Sequence, residues 1–217
     1  MFGTYKYRST LNRRYNKLLK MGLTNKYMNN NPINNLYIDS TDVMNYNCSK
    51  KYTYKSFKLH KQAVRLSIIC DDNRIPLTHK VDKAQKNDSV LGFELAHKFK
   101  VPDKKIHYLV ADKGYIMKDY NKIKLLKNNK LKIITPKKKY KKKKKYKTKN
   151  YKPKIKRIRH SIQIKAALKK RIIVEHCNSI LHRSFKRLSK IYDRSIYTYN
   201  GFVMLATICM IINYEYK

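Results

Sequence analysis

Apolar residues fall along this chain in two rhythms, one with the period of a strand and one with the period of a helix. Residues 36–39 form a short apolar run that predicts a strand ending at Asp39. Residues 59–70 alternate loosely and stop at Asp71-Asp72-Asn73, a turn signal, and residues 75–81 predict the returning strand of a hairpin. From Asp88 the spacing becomes helical through Val90, Leu91, Phe93, Leu95, Ala96 and Phe99, with Asn87 or Asp88 as the N-cap. Residues 106–111 predict an apolar strand that delivers Asp112 at its carboxyl end. A helix is expected over 116–128, a turn at Asn128-Asn129, and a strand over 131–135 closed by Pro136. Ile164, Leu168, Ile172, Ile180, Leu181, Phe185 and Leu188 outline one long helix over 161–190, and a last helix is expected over 199–213. Strand, hairpin, helix, strand, helix, strand, helix, helix is the order of an α/β protein, a mixed sheet flanked by helices.

The polar stretches separate these elements. Leu11, Leu18, Leu19 and Met21, interleaved with Arg13, Arg14 and Lys17, predict a short amphipathic helix ending at Gly22. Residues 42–57 read as a loop. Residues 137–159 have no apolar face and are dominated by lysine, so self-repulsion predicts disorder without a ligand. The division expected is a short N-terminal helical segment over 1–30 and one domain over 31–217.

Charge narrows the partners. With 53 Lys and Arg against 13 Asp and Glu, the chain carries +40 at pH 7, which favours a polyanion, and nucleic acid before a membrane surface. The Lys, Asn, Tyr and Ile bias matches an AT-rich genome, so the sign of the charge says more than its size. Cys48, Cys70, Cys177 and Cys209 have no zinc spacing and read as thiols in a reducing compartment, cytoplasmic or nuclear rather than secreted. The longest apolar run, 201–212, falls short of the roughly twenty residues a membrane span needs and reads as a core helix.

In so acid-poor a chain, carboxylates at strand ends need a reason. Asp39 and Asp112 would emerge at one sheet edge if their strands are parallel neighbours. Glu175, on the flank of a helix, could join them. Such a set of oxygens suits a shared divalent metal site acting on phosphodiesters. Each acid also has a local explanation: an Asx-type cap for Asp39, turn chemistry before Gly114 for Asp112, and an ion pair with Arg171 for Glu175. Arg171, one turn before Glu175, could hold a substrate phosphate. Lys113 lies beside Asp112 and would touch substrate or remain solvated.

Several of these segments together carry a resemblance. Asp39-Ser40-Thr41, residues 58–77, residues 84–89, the run Ala111-Asp112-Lys113-Gly114-Tyr115, residues 171–175, and the stretch from Ser184 through Tyr192-Asp193 to Phe202 resemble the DDE transposases of bacterial insertion sequences. The resemblance runs from about residue 4 to 213, and the Asp-Lys-Gly-Tyr motif and the Val-Glu followed by Phe-Lys-Arg-Leu are its most specific parts. It implies a ribonuclease H-like catalytic core. Asp39, Asp112 and Glu175 would be the catalytic ligands of Mg²⁺ or Mn²⁺, two ions, with Asp88 as a supporting residue near the site. Arg171 matches the family's arginine. Leu168 stands where a tyrosine is common, and His182 where some branches carry lysine, differences that bear on positioning of the DNA end. Between Asp112 and Glu175 there is no room for the β-rich insertion of some relatives. The start near the family's Thr-Leu-Asn-Arg-Arg segment implies that an upstream end-binding part is absent.

The implied activity is metal-dependent cleavage of element ends and strand transfer into target DNA, by a homodimer assembled on DNA, with no membrane and no small-molecule cofactor. Lys137, Lys138, Lys139, Lys141, Lys142, Lys143, Lys144 and Lys145 would neutralise DNA phosphates without sequence choice. Two rival readings share the residues: a decayed or domesticated transposase that only binds nucleic acid, and an RNase H-like nuclease or resolvase.

Overall fold

The computed structural model of the chain describes residues 22–50, 53–101, 105–117, 119–136 and 162–215. The expected amphipathic helix before Gly22 and the lysine-rich tract lie outside them. A helix the pattern did not announce opens the described chain, α1 at Leu23–Asn30. Then come β1 (Asn35–Asn45), β2 (Tyr54–Lys55), β3 (Gln62–Cys70), β4 (Pro76–Lys83), α2 (Asp88–Lys98), β5 (His107–Ala111), α3 (Tyr120–Asn128), β6 (Leu131–Ile134), α4 (Ile162–Lys169), α5 (Ile172–Ser184), β7 (Lys190–Ile191) and α6 (Ile196–Glu215).

These strands form a seven-stranded mixed sheet with path β2-β3-β1-β5-β6; β4 also pairs with β3, and β7 with β1. β1 is central. It runs antiparallel to β3, from Tyr37 opposite Cys70 to Met44 opposite Ala63, and parallel to β5. Leu36, Ile38, Leu66, Ile68 and Leu109 are fully buried in the middle of this sheet. Helices cover both faces, the α/β arrangement of a ribonuclease H-like domain.

Parity along β1 assigns the faces, because alternate residues point to opposite sides. Ile38 reaches toward Gly92, so α2 covers the face of Ile38, Ser40 and Asp42. Cys70 touches Cys177 of α5, and burial together with that neighbour pushes the Cys70 thiol well up. Cys70 sits opposite Tyr37, so α5 covers the face of Tyr37 and Asp39.

Four expectations need correction. β1 does not end at Asp39 but runs on to Asn45, because β3 offers eight paired positions along it and Val43 is buried. The expected loop 42–57 therefore holds the end of β1 and all of β2. The helix expected from 116 starts at Tyr120, where Asp119 accepts the Asn121 and Lys122 amides at 3.0 and 3.4 Å. The single helix over 161–190 is two helices, joined through Lys170 and Arg171 by hydrogen bonds to Ala167 and Leu168 three residues back. It also stops at Ser184, because Lys190 and Ile191 are drawn into pairing with Met44 and Asn45.

The turn acids tie the ends together. Asp71 accepts hydrogen bonds from the Asn73 and Ile75 amides and from the Tyr27 hydroxyl at 2.5 Å, so α1 is anchored to the β3–β4 turn. Asp72 accepts from the Asn35 amide and the Tyr37 hydroxyl. α6 is long and apolar enough, by length and composition, to cross a membrane. Its Tyr199, Val203, Ala206, Met210 and Ile211 are buried, and it packs on β4 and α1. Cys48, Cys70 and Cys177 are buried free thiols, and Cys209 is exposed.

Candidate active site

The site begins with a register. Ile38 of β1 lies opposite Ala111 of β5, the last pair of that parallel ladder. The next residues on the two strands are Asp39 and Asp112, on backbones about 4.8 Å apart. Asp112 leaves the sheet in extended conformation and starts the one-turn helix Lys113–Tyr115, whose Tyr115 amide returns to the Asp112 carbonyl at 3.0 Å. Asp112 is exposed; Asp39 is half-buried, with Ile68 across the ladder.

α5 brings the third acid. Val174, Cys177 and Leu181 are its buried face against β1 and β3, which leaves Glu175 on the flank with 45% of its side chain exposed. Arg171 donates to Glu175 Oε1 at 2.9 Å. The charges of both reach Asp39. Burial pushes the Asp39 carboxyl above its ordinary value; the Ser40 amide and the Arg171 guanidinium pull it down, Glu175 pushes it up again, and Lys58 pulls it down. A half-buried acid beside a second acid is an environment that favours a bound cation.

The other face of β1 holds a hydrogen-bonded frame. Ser40 Oγ lies 2.7 Å from Ser67 Oγ and 2.5 Å from the Tyr115 hydroxyl. The Tyr115 ring fits over Gly92 of α2, where a Cβ would stand 2.5 Å from its Cδ1. Asp88, at the start of α2, abuts Gly114, whose missing Cβ would come 3.0 Å from Asp88 Oδ2. Arg65 clasps Asp42 with Nε at 2.7 Å and Nη2 at 3.3 Å, and reaches Asp88 Oδ1 at 3.2 Å. Asp42 also accepts from the Ser56 hydroxyl at 2.5 Å.

The sequence matches the family model described as Transposase DDE domain over residues 32–212. The chain belongs to that family. No curated protein and no solved structure matches it.

Of the residues expected to serve this transposase, the fold brings Asp39, Asp112, Glu175 and Arg171 to one end of the central strand pair. Among the described residues, no three acid, histidine or cysteine side chains converge to metal-ligand distance. Glu175 is turned to Arg171, which supplies the counter-charge that a cation would otherwise supply. The donor set itself, carboxylate oxygens alone, is chemically suited to Mg²⁺ or Mn²⁺.

Asp88 stands on the opposite side of β1, bonded to Arg65 and touching Gly114. Lys113 is exposed next to Asp112. His182 is half-buried two turns after Glu175; burial lowers its pKa, and its contact with the Leu188 backbone opposes that. Lys137, Lys138, Lys139 and Lys141–Lys145 lie outside the described residues.

Sequence reasoning missed Asp42, Arg65 and Ser56. The available signal was Asp42 itself, a second acid three residues after Asp39 in an acid-poor chain. Gly92 was also missed, and a glycine inside a helical pattern is a signal of close packing.

Proposed function

We propose that this chain is a metal-dependent DNA transposase that cleaves the ends of a mobile element and joins the freed 3′-hydroxyl to target DNA. Asp39, Asp112 and Glu175 are the residues that would hold the metal, Mg²⁺ or Mn²⁺. The observation that supports this reading is the Ile38–Ala111 register, the last pair of the parallel ladder, after which Asp39 and Asp112 are the next residues in sequence. When bound, two such ions would activate the attacking oxygen and offset charge on the leaving one.

The chain's own groups do the rest. Burial and Glu175 work against the Asp39 anion while the Ser40 amide, Arg171 and Lys58 work for it, and a bound cation would add to the second group. Arg171 can leave the exposed Glu175 carboxylate for a substrate phosphate, which its planar fork suits. Lys113, exposed beside Asp112, contacts the DNA backbone, and the tract from Lys137 to Lys145 adds affinity that is steeply salt-dependent. A homodimer assembled on two element ends completes the reading. The protein acts by positioning and charge stabilisation, with no covalent enzyme intermediate.

The test is nicking and joining of supercoiled plasmid in Mg²⁺ or Mn²⁺ by wild type and by Asp112→Asn. Metal-dependent joined products that vanish in the variant support the reading. Nicked plasmid without joining favours a nuclease. No activity in either protein, with equal DNA binding, leaves a binding protein.

A further inference from the structure

The turn between β2 and β3 is built to hold an aromatic ring out in solvent. Phe57 at its tip is 89% exposed, the most exposed large hydrophobic side chain among the described residues. The backbone beneath it is fixed. Ser56 is buried, and its hydroxyl donates to Asp42 while accepting the Lys58 and Leu59 amides, each at 3.1 Å. That uses the full hydrogen-bonding capacity of a serine hydroxyl. The Ser56 amide donates to the Lys61 carbonyl at 2.8 Å, and the His60 amide returns to the Ser56 carbonyl at 2.9 Å. His60 takes φ 53°, a left-handed conformation that residues other than glycine rarely adopt.

Position and charge give the turn a partner. Asp42, to which Ser56 is anchored, is three residues from Asp39 on the same strand, on its opposite face, so the turn is fixed at the edge of β1 that the acids share. The charge of Lys58 is felt at Asp39. The local sequence, Lys55-Ser56-Phe57-Lys58-Leu59-His60-Lys61, alternates cations with rings, and the rings of Phe57 and His60 lie 6.3 Å apart. A cationic rim around an exposed ring is the arrangement by which proteins take unpaired nucleotides: the cations follow the backbone and the ring stacks on a base. A purely apolar partner would leave the lysines unpaired.

We infer that the Lys55–Lys61 turn is a binding site for an unpaired nucleotide of the DNA end beside the acids, with Phe57 stacking on its base and Lys58 holding its phosphate. This rests on the DNA reading above, and it assigns the single-strand contact to a rigid turn rather than to the lysine tract.

The test is fluorescence anisotropy on the full chain in EDTA with two probes, a fully paired duplex and the same duplex ending in a short unpaired 3′ segment that carries 2-aminopurine. Wild type should prefer the unpaired end and quench the 2-aminopurine. Phe57→Ala should weaken binding to that probe by about tenfold, abolish the quenching and leave the paired duplex unchanged, while Phe57→Tyr keeps the preference. Lys58→Gln should weaken both probes and reduce the salt slope by about one. Phe57 is solvent-exposed, so these variants keep the fold, which thermal melting verifies. Equal binding of both probes by wild type and Phe57→Ala overturns the inference while leaving the DNA reading standing. So does a change in oligomeric state in Phe57→Ala without a change in DNA binding. Failure of wild type to bind either probe would instead remove the DNA reading, and this inference with it.

Discussion

The Tyr115 hydroxyl lies 2.5 Å from Ser40 Oγ, so the one-turn helix after Asp112 is hydrogen-bonded to the residue after Asp39. One contact therefore ties the two acid-bearing backbones together, on the face of β1 opposite to the acids' helix partner. Tyr115→Phe should retain the fold, cost about 1 kcal/mol in urea denaturation, and lower metal-dependent plasmid nicking by about tenfold as the spacing of Asp39 and Asp112 loosens. Unchanged nicking together with the lost stability would make this contact structural only.

Gly92→Ala should destabilise the protein by about 1–3 kcal/mol, although alanine is the better helix former. Its Cβ would meet the Tyr115 ring at 2.5 Å from Cδ1 and 2.7 Å from Cε1, while Ile38 at 3.5 Å is in ordinary contact. Denaturant titration of the variant measures this directly; a stabilised protein would mean that the ring is free to move.

Two arginines on opposite faces of β1 should behave in opposite ways. Arg65 is 13% exposed and clasps Asp42, which is 3% exposed, so Arg65→Ala strands a buried carboxylate and should cost about 3 kcal/mol. Arg171 pairs with Glu175 near the surface, and Arg171→Ala should cost under about 1 kcal/mol while reducing strand transfer much more than Arg65→Ala reduces it per folded molecule. Melting curves and activity normalised to folded protein separate the two.

Asp39 should oppose stability at neutral pH. Its folded pKa is raised, chiefly by burial, so the folded chain binds that proton more tightly than the unfolded chain does. Stability is then greatest below the unfolded value and falls as pH rises through the folded one. Asp39→Asn should melt a few degrees higher than wild type at pH 7 without metal, lose that advantage in acid, and show no metal-dependent activity. Added Mg²⁺ should raise the melting temperature of wild type only. A variant less stable at pH 7 would contradict the burial argument.

His79 has the opposite sign of pH dependence. Burial lowers its pKa from 6.5 to about 4, against the hydrogen bond shared by its Nε2 and Asn200 Oδ1. The unfolded chain protonates first, so the stability present above pH 6.5 is lost as pH falls toward about 4. In His79→Gln that slope should flatten when unfolding is followed across this range.

Much of this was legible in the residues. The hairpin around Asp71-Asp72-Asn73, the helix from Asp88 and the strand that delivers Asp112 follow from apolar period and turn chemistry, which are local. The length of β1 was not legible, because Thr41, Asp42 and Asn45 look like loop residues until β3 pairs with them. The break at Lys170-Arg171 was hidden for a related reason: the apolar stripe continues across it. Asp42 went unnoticed because an acid bound to an arginine of another strand carries no local signal of its partner.

What the sequence determined by itself is the hairpin, the strand before Asp112 and the helix from Asp88, the rarity and placement of the three acids, and membership of a family, since periodicity, charge and motif spacing are properties of the chain. Only the tertiary structure decided that Ile38 and Ala111 share a register, that Ser40 and Asp42 point away from Asp39, and that α2 and α5 take opposite faces of β1. Register is a contest among whole-strand pairings whose outcome depends on burial of every side chain on both faces at once. No stretch of residues read alone contains that sum.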